Sequence, residues 1–360
     1  MKKLVSILSV FLLIFGLSGC GSSSNDACSA GEVEVVLVTD TGGVNDKSFN
    51  QGTWEGLQDA CSELGIGASY IETQSEADLE GNLRQAAQQA PIVVASGFLF
   101  EKAIGKIAQE FPDTNFVIID GQPTDENGNP LELDNVNAYF FNEEEAGYLV
   151  GYIAAKTSET KKIGFIGGLE IPSVQKFGWG YVQGAQAADP NVEVAYEYTN
   201  SFSDTAKGKT TAKTMFAAGC DVIFTAAGGV NNGAVEAAIE ETSTNPNVKI
   251  IGVDRDMYED GIYGASNESV ILTSAIKKTG KVALDAVKGI KAGEDLPAVS
   301  NLSVVDGYVG LPETNPNLEG QEDLIKEAQA SLEQTLNGDG VKSTKDEVVS
   351  IVTIKINGSL

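Results

Sequence analysis

The sequence predicts an α/β fold of two doubly wound parallel-sheet domains joined by a hinge of several crossings. Three observations predict it. β-rich apolar runs alternate with amphipathic stretches along the chain, and the alternation occurs in two successive series. The runs are apolar nearly throughout, as strands buried on both faces of a parallel sheet must be. Finally, 360 residues with 42 % hydrophobic and 21 % charged side chains supply two cores of ordinary size.

The first series reads as strands at 33–39, 68–72, 92–96, 116–119 and 136–141, the second at 163–167, 192–198, 222–225 and 249–253. Helical stripes lie between them. Trp54, Leu57, Cys61 and Leu64 are spaced by 3, 4 and 3, and Tyr181, Ala185 and Ala188 by 4 and 3. Alternating β and α of this kind builds parallel sheets with helices on both faces. An acidic helix over 142–159 opens the second domain. Strand-like segments at 270–274 and 302–305 flank one more helix, 280–292, and suit a chain that crosses back to the first lobe and returns. The reading is therefore a first lobe of 33–141 plus about 270–300, and a second of 142–269 plus about 301–360. Three crossings make a hinge, the type I periplasmic binding protein-like architecture, with a ligand cleft at the carboxyl ends of the strands. The tail after 321 holds a helix and a strand-like 348–356, without an assigned place.

Residues 1–19 have the layout of a signal peptide: Lys2 and Lys3, an apolar run over 4–17, then Leu17-Ser18-Gly19 before Cys20. That ending resembles the bacterial lipobox, which implies diacylation of Cys20. Residues 20–32 then form a lipidated tether, and the protein is expected on the extracytoplasmic face of the cell membrane, held by lipid alone. Losing 1–19 removes two lysines and no acid, taking the formal charge from −27 to −29. Such a surface repels phosphate backbones and argues against nucleic acid as a partner. In an oxidising compartment Cys28, just before the first strand, and Cys61, near the end of the following helix, are placed to form a disulfide. Cys220 reads as a small core residue. The chain has no histidine, which excludes Ser-His-Asp and Cys-His catalysis and His-ligated zinc, while enzymes built on carboxylates alone remain possible. No catalytic residue, metal or cofactor is assigned.

Ligand residues should follow strands directly, and 38–51 (VTDTGGVNDKSFNQ) is the densest such loop. Asp40 ends the strand, and Asp46 and Ser48 stand at the next helix start, where either equally suits a helix cap. Phe49 lies about 100° from the centre of the apolar stripe, where it suits a stacking platform as well as core packing.

This loop resembles the signature of the basic membrane protein family of substrate-binding lipoproteins, which includes the purine nucleoside receptors of ABC importers. Similar segments follow in order at 116–120 (FVIID), 164–168 (GFIGG) with Ile171 and Pro172, and 177–181 (FGWGY). Others lie at 201–204 (SFSD) with 207–209 (KGK), 227–229 (AGG), 252–254 (GVD) and 272–277 (LTSAIK). The resemblance implies a purine nucleoside as ligand and an ABC permease as partner. Phe49 would stack on one face of the base and Phe177 or Phe202 on the other, although Phe177 also falls on a core stripe. Asn50 and Asp120 would meet the base edge, Asp254 and Lys277 the ribose, and the Gly228-Gly229 backbone would approach closely. Val230-Asn231-Asn232 and Arg255-Asp256 depart from the family pattern. The alternatives are a surface adhesin or sensor on the same fold, a binder of a sugar-like ligand and, most remotely, a nucleoside hydrolase. The hydrolase would need a calcium loop, and too few oxygens converge over 40–46 for one.

Overall fold

The structure, a computed structural model, describes residues 28–29, 31–265 and 268–360. The signal segment, Cys20 and the tether up to 27 lie outside the described residues. Among those residues no helix is long and apolar enough to cross a membrane.

The first lobe runs β1 (Cys28–Ser29), β2 (Val33–Val38), α1 (Phe49–Leu64), β3 (Gly67–Ile71), α2 (Leu79–Gln89), β4 (Ile92–Ser96), α3 (Glu101–Glu110), β5 (Asn115–Ile119) and β6 (Val136–Phe141). The chain then crosses to α4 (Glu143–Thr157), β7 (Lys162–Gly167), α5 (Pro172–Ala188), β8 (Glu193–Tyr198), α6 (Thr205–Ala217), β9 (Val222–Ala226), α7 (Val230–Glu241) and β10 (Lys249–Asp254). A two-stranded hairpin, β11 (Ile262–Tyr263) and β12 (Glu268–Ser269), precedes β13 (Ile271–Lys277). The last part holds α8 (Thr279–Ala292), β14 (Val299–Leu302), β15 (Val309–Gly310), α9 (Glu322–Leu336), α10 (Lys345–Ile351) and β16 (Lys355–Gly358).

The first sheet has the order β1-β3-β2-β4-β5-β6-β14 and the second β15-β13-β10-β9-β7-β8-β16. Both are parallel apart from β1 and β15 at opposite ends. Alternation decides which helix each strand residue meets. Val35 and Leu37 pack with α1 and α8, whereas Val36 and Val38 pack with α2 and α3. In the second sheet Phe165 and Phe224 face α5, while Ile166 and Ile223 face α6 and α7. Strands without a polar face are what the continuous apolar runs required.

Two boundaries differ from the sequence reading. The strand expected at 270–274 in the first lobe pairs instead with β10 and β15 in the second sheet. The crossing therefore falls at Lys278, and only α8 and β14 return to the first lobe. Both sheet edges accept the same apolar run, so the sequence alone could not choose. The strand-like 348–356 is split into α10 and the short β16, which extends the second sheet beside β8. Asp346 and Glu347 in its first turn favour a helix there over a strand. Cys28 and Cys61 form a disulfide, tying β1 to α1 with Cα atoms 6.4 Å apart. Cys220 is buried and unpaired in a bridge.

The hinge is built symmetrically. Asn142 before α4 and Lys278 before α8 have nearly the same backbone angles, φ −87° and ψ 67° against φ −83° and ψ 65°. Their N–H groups donate at 2.8 Å to Leu302 and Tyr308, the two ends of the third crossing. α4 packs along α5 at backbone contact: a Cβ at Gly184 would stand 1.9 Å from the Tyr148 carbonyl oxygen.

Candidate functional site

In each sheet the first strand of the lobe has its second strand on one side and its third on the other, a topological switch point that opens a crevice at the carboxyl ends. The two crevices face each other across a gap holding about 570 Å³ free of protein atoms, part of it open to solvent.

From the first lobe the gap is walled by Asp40, Asp46 and Phe49 after β2, by Gly97, Phe98 and Leu99 after β4, and by Asp120 after β5. The second lobe contributes Ile171, Ser173, Val174 and Phe177 after β7, Phe202 after β8, Ala226 to Gly228 after β9, Val253 and Asp254 from β10, and Lys277 at the end of β13. Eight of the ten expected ligand residues thus converge: Asp40, Asp46, Phe49, Asp120, Phe177, Phe202, Asp254 and Lys277. Asn50 and Gly229 stand just behind the wall. Asn50 spends its amide N–H groups on Asp40, at 2.7 Å, and Asp46, at 3.1 Å. Gly229 is the N-cap of α7, and Gly228 takes the lining place expected of it. The loop 97–99 was missed, although the rule that ligand residues follow strands applied to β4 as to β2.

Asp46 stands two residues before Ser48, the N-cap of α1, and satisfies the helix start with its side chain. Its carboxylate accepts from the N–H groups of Ser48, Asn50 and Gln51 at 2.8, 2.9 and 3.1 Å. Asp40 accepts from Gly42 N–H at 2.8 Å, and burial pushes its carboxyl up to about 6 against these hydrogen bonds. Asp120 and Asp254 end corresponding strands of the two lobes, and both take the left-handed backbone region, φ 63° and 67°. That conformation is costly for a residue with a Cβ and recurs at functional sites. Burial raises both carboxyls, Asp254 to about 6. Asp254 accepts the hydroxyl hydrogen bond of Ser48 across the lobes.

Lys277 is buried at the centre. Its Nζ pairs with Asp120 and, at 2.9 Å, with Glu143 of α4, so two of its three donors are occupied. The same ammonium lies 5.0 Å from the Phe49 ring centroid and 4.9 Å from that of Phe141. Two acceptor oxygens remain buried without a hydrogen-bond partner beside the gap, Asp120 Oδ1 and Asn50 Oδ1. Phe177 is anchored edge-on against Phe224, with centroids 5.9 Å apart, and serves the core as well as the gap. Phe202 is only half-buried and lies over Gly168, where a Cβ would come within 2.3 Å of its ring. Among the described residues no cluster of His, Cys, Asp and Glu has the arrangement of a metal site.

The family model of PnrA-like ABC transporter substrate-binding proteins, Bmp, matches residues 33–342. The chain belongs to this family. The CD4+ T-cell-stimulating antigen of Listeria monocytogenes is 34 % identical over 360 residues, spanning 94 % of this chain and 98 % of that one. The ABC transporter nucleoside-binding protein BmpA of Lactococcus lactis is 37 % identical over 310 residues, with 82 % and 86 % covered. An ABC transporter solute-binding protein of Aeropyrum pernix K1 superposes with a TM-score of 0.77 at 24 % identity, covering 89 % and 96 %, and shares the fold. As a Bmp protein the chain is an extracytoplasmic substrate-binding component of an ABC transporter, a binding protein in a family that is not enzymatic, with a small molecule as ligand and a permease as partner.

Proposed function

We propose that this protein captures a purine nucleoside for an ABC importer, closing its lobes on the base and ribose while anchored to the membrane by a lipid on Cys20. The observation that carries the reading is the pairing of aromatic and polar groups in one gap. Phe49 of the first lobe and Phe202 of the second offer apolar faces to a flat ring. Asp120 Oδ1, a buried acceptor of the gap wall without a hydrogen-bond partner, calls for an N–H donor such as those on a purine edge. Asp40 and Asp254 add carboxylates for ribose hydroxyls, and Lys277 balances the acids rather than reaching far into the gap. The nucleoside-binding name of the Lactococcus relative supports the same ligand class.

Mass spectrometry of solute released from the purified, denatured protein should detect a purine nucleoside. Inosine at 100 times its dissociation constant should stabilise the fold by about 2.7 kcal/mol, while ribose and arabinose should not. Stabilisation by pentoses with nucleosides inert would transfer the site to the sugar reading, and release of free hypoxanthine would make the protein a hydrolase.

A further inference from the structure

Arg255 makes contacts that ligand binding does not call for. It follows Asp254 in the second lobe and does not line the gap. Its Nε donates at 2.7 Å to the carbonyl oxygen of Lys47, in the first lobe, and its Nη1 at 3.3 Å to that of Asp256. Its Nη2 pairs with the carboxylate of Asp260. Lys47 answers from the other side, with Nζ 3.1 Å from the same Asp260. Two segments 208 residues apart are thus joined by a hydrogen bond and a shared carboxylate. Lys47 adopts φ 57°, an unfavourable conformation for a side-chain-bearing residue that its surroundings must hold.

We propose that Arg255, with Asp260 and Lys47, is a latch that holds the lobes together beside the cleft and so sets how long a ligand stays, without touching it. The latch extends the binding function above, and its release readout rests on that reading. A contact made only when the lobes are together acts on dissociation more than on association. The groups are partly exposed, Arg255 at 26 %, Asp260 at 13 % and Lys47 at 49 % of their side chains, so the effect is modest and screened by salt. Arginine is required because one planar fork reaches a carbonyl of one lobe and a carboxylate of the other.

Stopped-flow release of inosine from the wild type, Arg255→Met and Arg255→Lys tests this, together with amide hydrogen exchange on the same proteins as purified. Arg255→Met should release inosine about three- to tenfold faster with association changed less than about twofold, and Arg255→Lys should fall between. Added NaCl should speed release from the wild type more than from Arg255→Met, which keeps the Lys47–Asp260 pair. Equal release rates, or equal salt responses, overturn the latch. Failure of the wild type to bind inosine overturns the nucleoside reading instead, and the latch is then judged by exchange alone. Faster exchange over 41–48, on the lobe opposite the substitution, supports it; acceleration confined to 255–261 overturns it.

Discussion

Lys277 is an ammonium buried among Asp120, Glu143 and Asp254, and attraction to these acids outweighs burial to raise its pKa. Desolvating four charged groups is expensive, and one cation is what makes the arrangement tolerable. Lys277→Met should therefore destabilise the fold by about 3–5 kcal/mol in urea unfolding, because Asp120 is left buried without a counter-charge and Glu143 keeps only Lys176, 3.5 Å away. Adding Asp120→Asn and Glu143→Gln to that variant should restore a large part of the loss. If the triple substitution is no more stable than Lys277→Met, the loss comes from packing against Phe49 and Phe141, not from charge. In the sequence Asp120 reaches the cleft because it ends a strand, whereas Lys277, beyond the strand read at 270–274, reaches it only through the family resemblance. Sequence reasoning missed Glu143, since an acid in the first turn of a helix reads as an ordinary partner of the helix dipole. Only the crossing at the hinge turns that carboxylate towards Lys277.

At the level of elements, α4 and α5 form the tightest helix pair near the hinge, and small residues make it possible. The carbonyl of Tyr148 on α4 sits where a Cβ of residue 184 would be. Gly184→Ala should force the helices apart and cost about 1–3 kcal/mol, read as a lowered urea midpoint. A midpoint equal to that of the wild type would show that the helices separate freely. This packing was hidden in the sequence, where the Tyr181 and Ala185 stripe marked the buried face without showing how closely two backbones approach. Strands were the more legible elements: runs apolar on both faces leave one environment that suits them. The exceptions were local. The run at 270–277 satisfied either sheet equally, and Val348 with Val349 looked like a strand although Thr344 and the following acids start a helix.

Across the whole molecule, buried carboxylates and excess acidity act on stability in the same direction. Burial holds Asp40 and Asp254 up to about 6 and Glu144 up to about 7, whereas the same groups in an unfolded chain titrate near 4. Between about pH 4 and 7 the native protein therefore binds more protons than the unfolded chain, and stability falls as pH rises through this window. The formal charge of −27 adds repulsion that also grows with ionisation. Exposed acids with lowered pKa, such as Glu240 at about 2 beside Lys209 and Lys213, lose their contribution only in stronger acid. Lys277, raised, keeps its contribution until the pH passes the ordinary lysine range. Thermal melts of ligand-free protein should thus show a higher Tm at pH 5 than at pH 7.5. Inosine affinity should move the other way, because protonating Asp40 and Asp254 removes acceptors for the ribose hydroxyls. Calorimetry at pH 5, 6 and 7.5 alongside the melts separates the two trends. A Tm that drops on acidification would mean these carboxylates stay ionised in the fold, and an affinity that holds constant would mean they do not accept from the ligand.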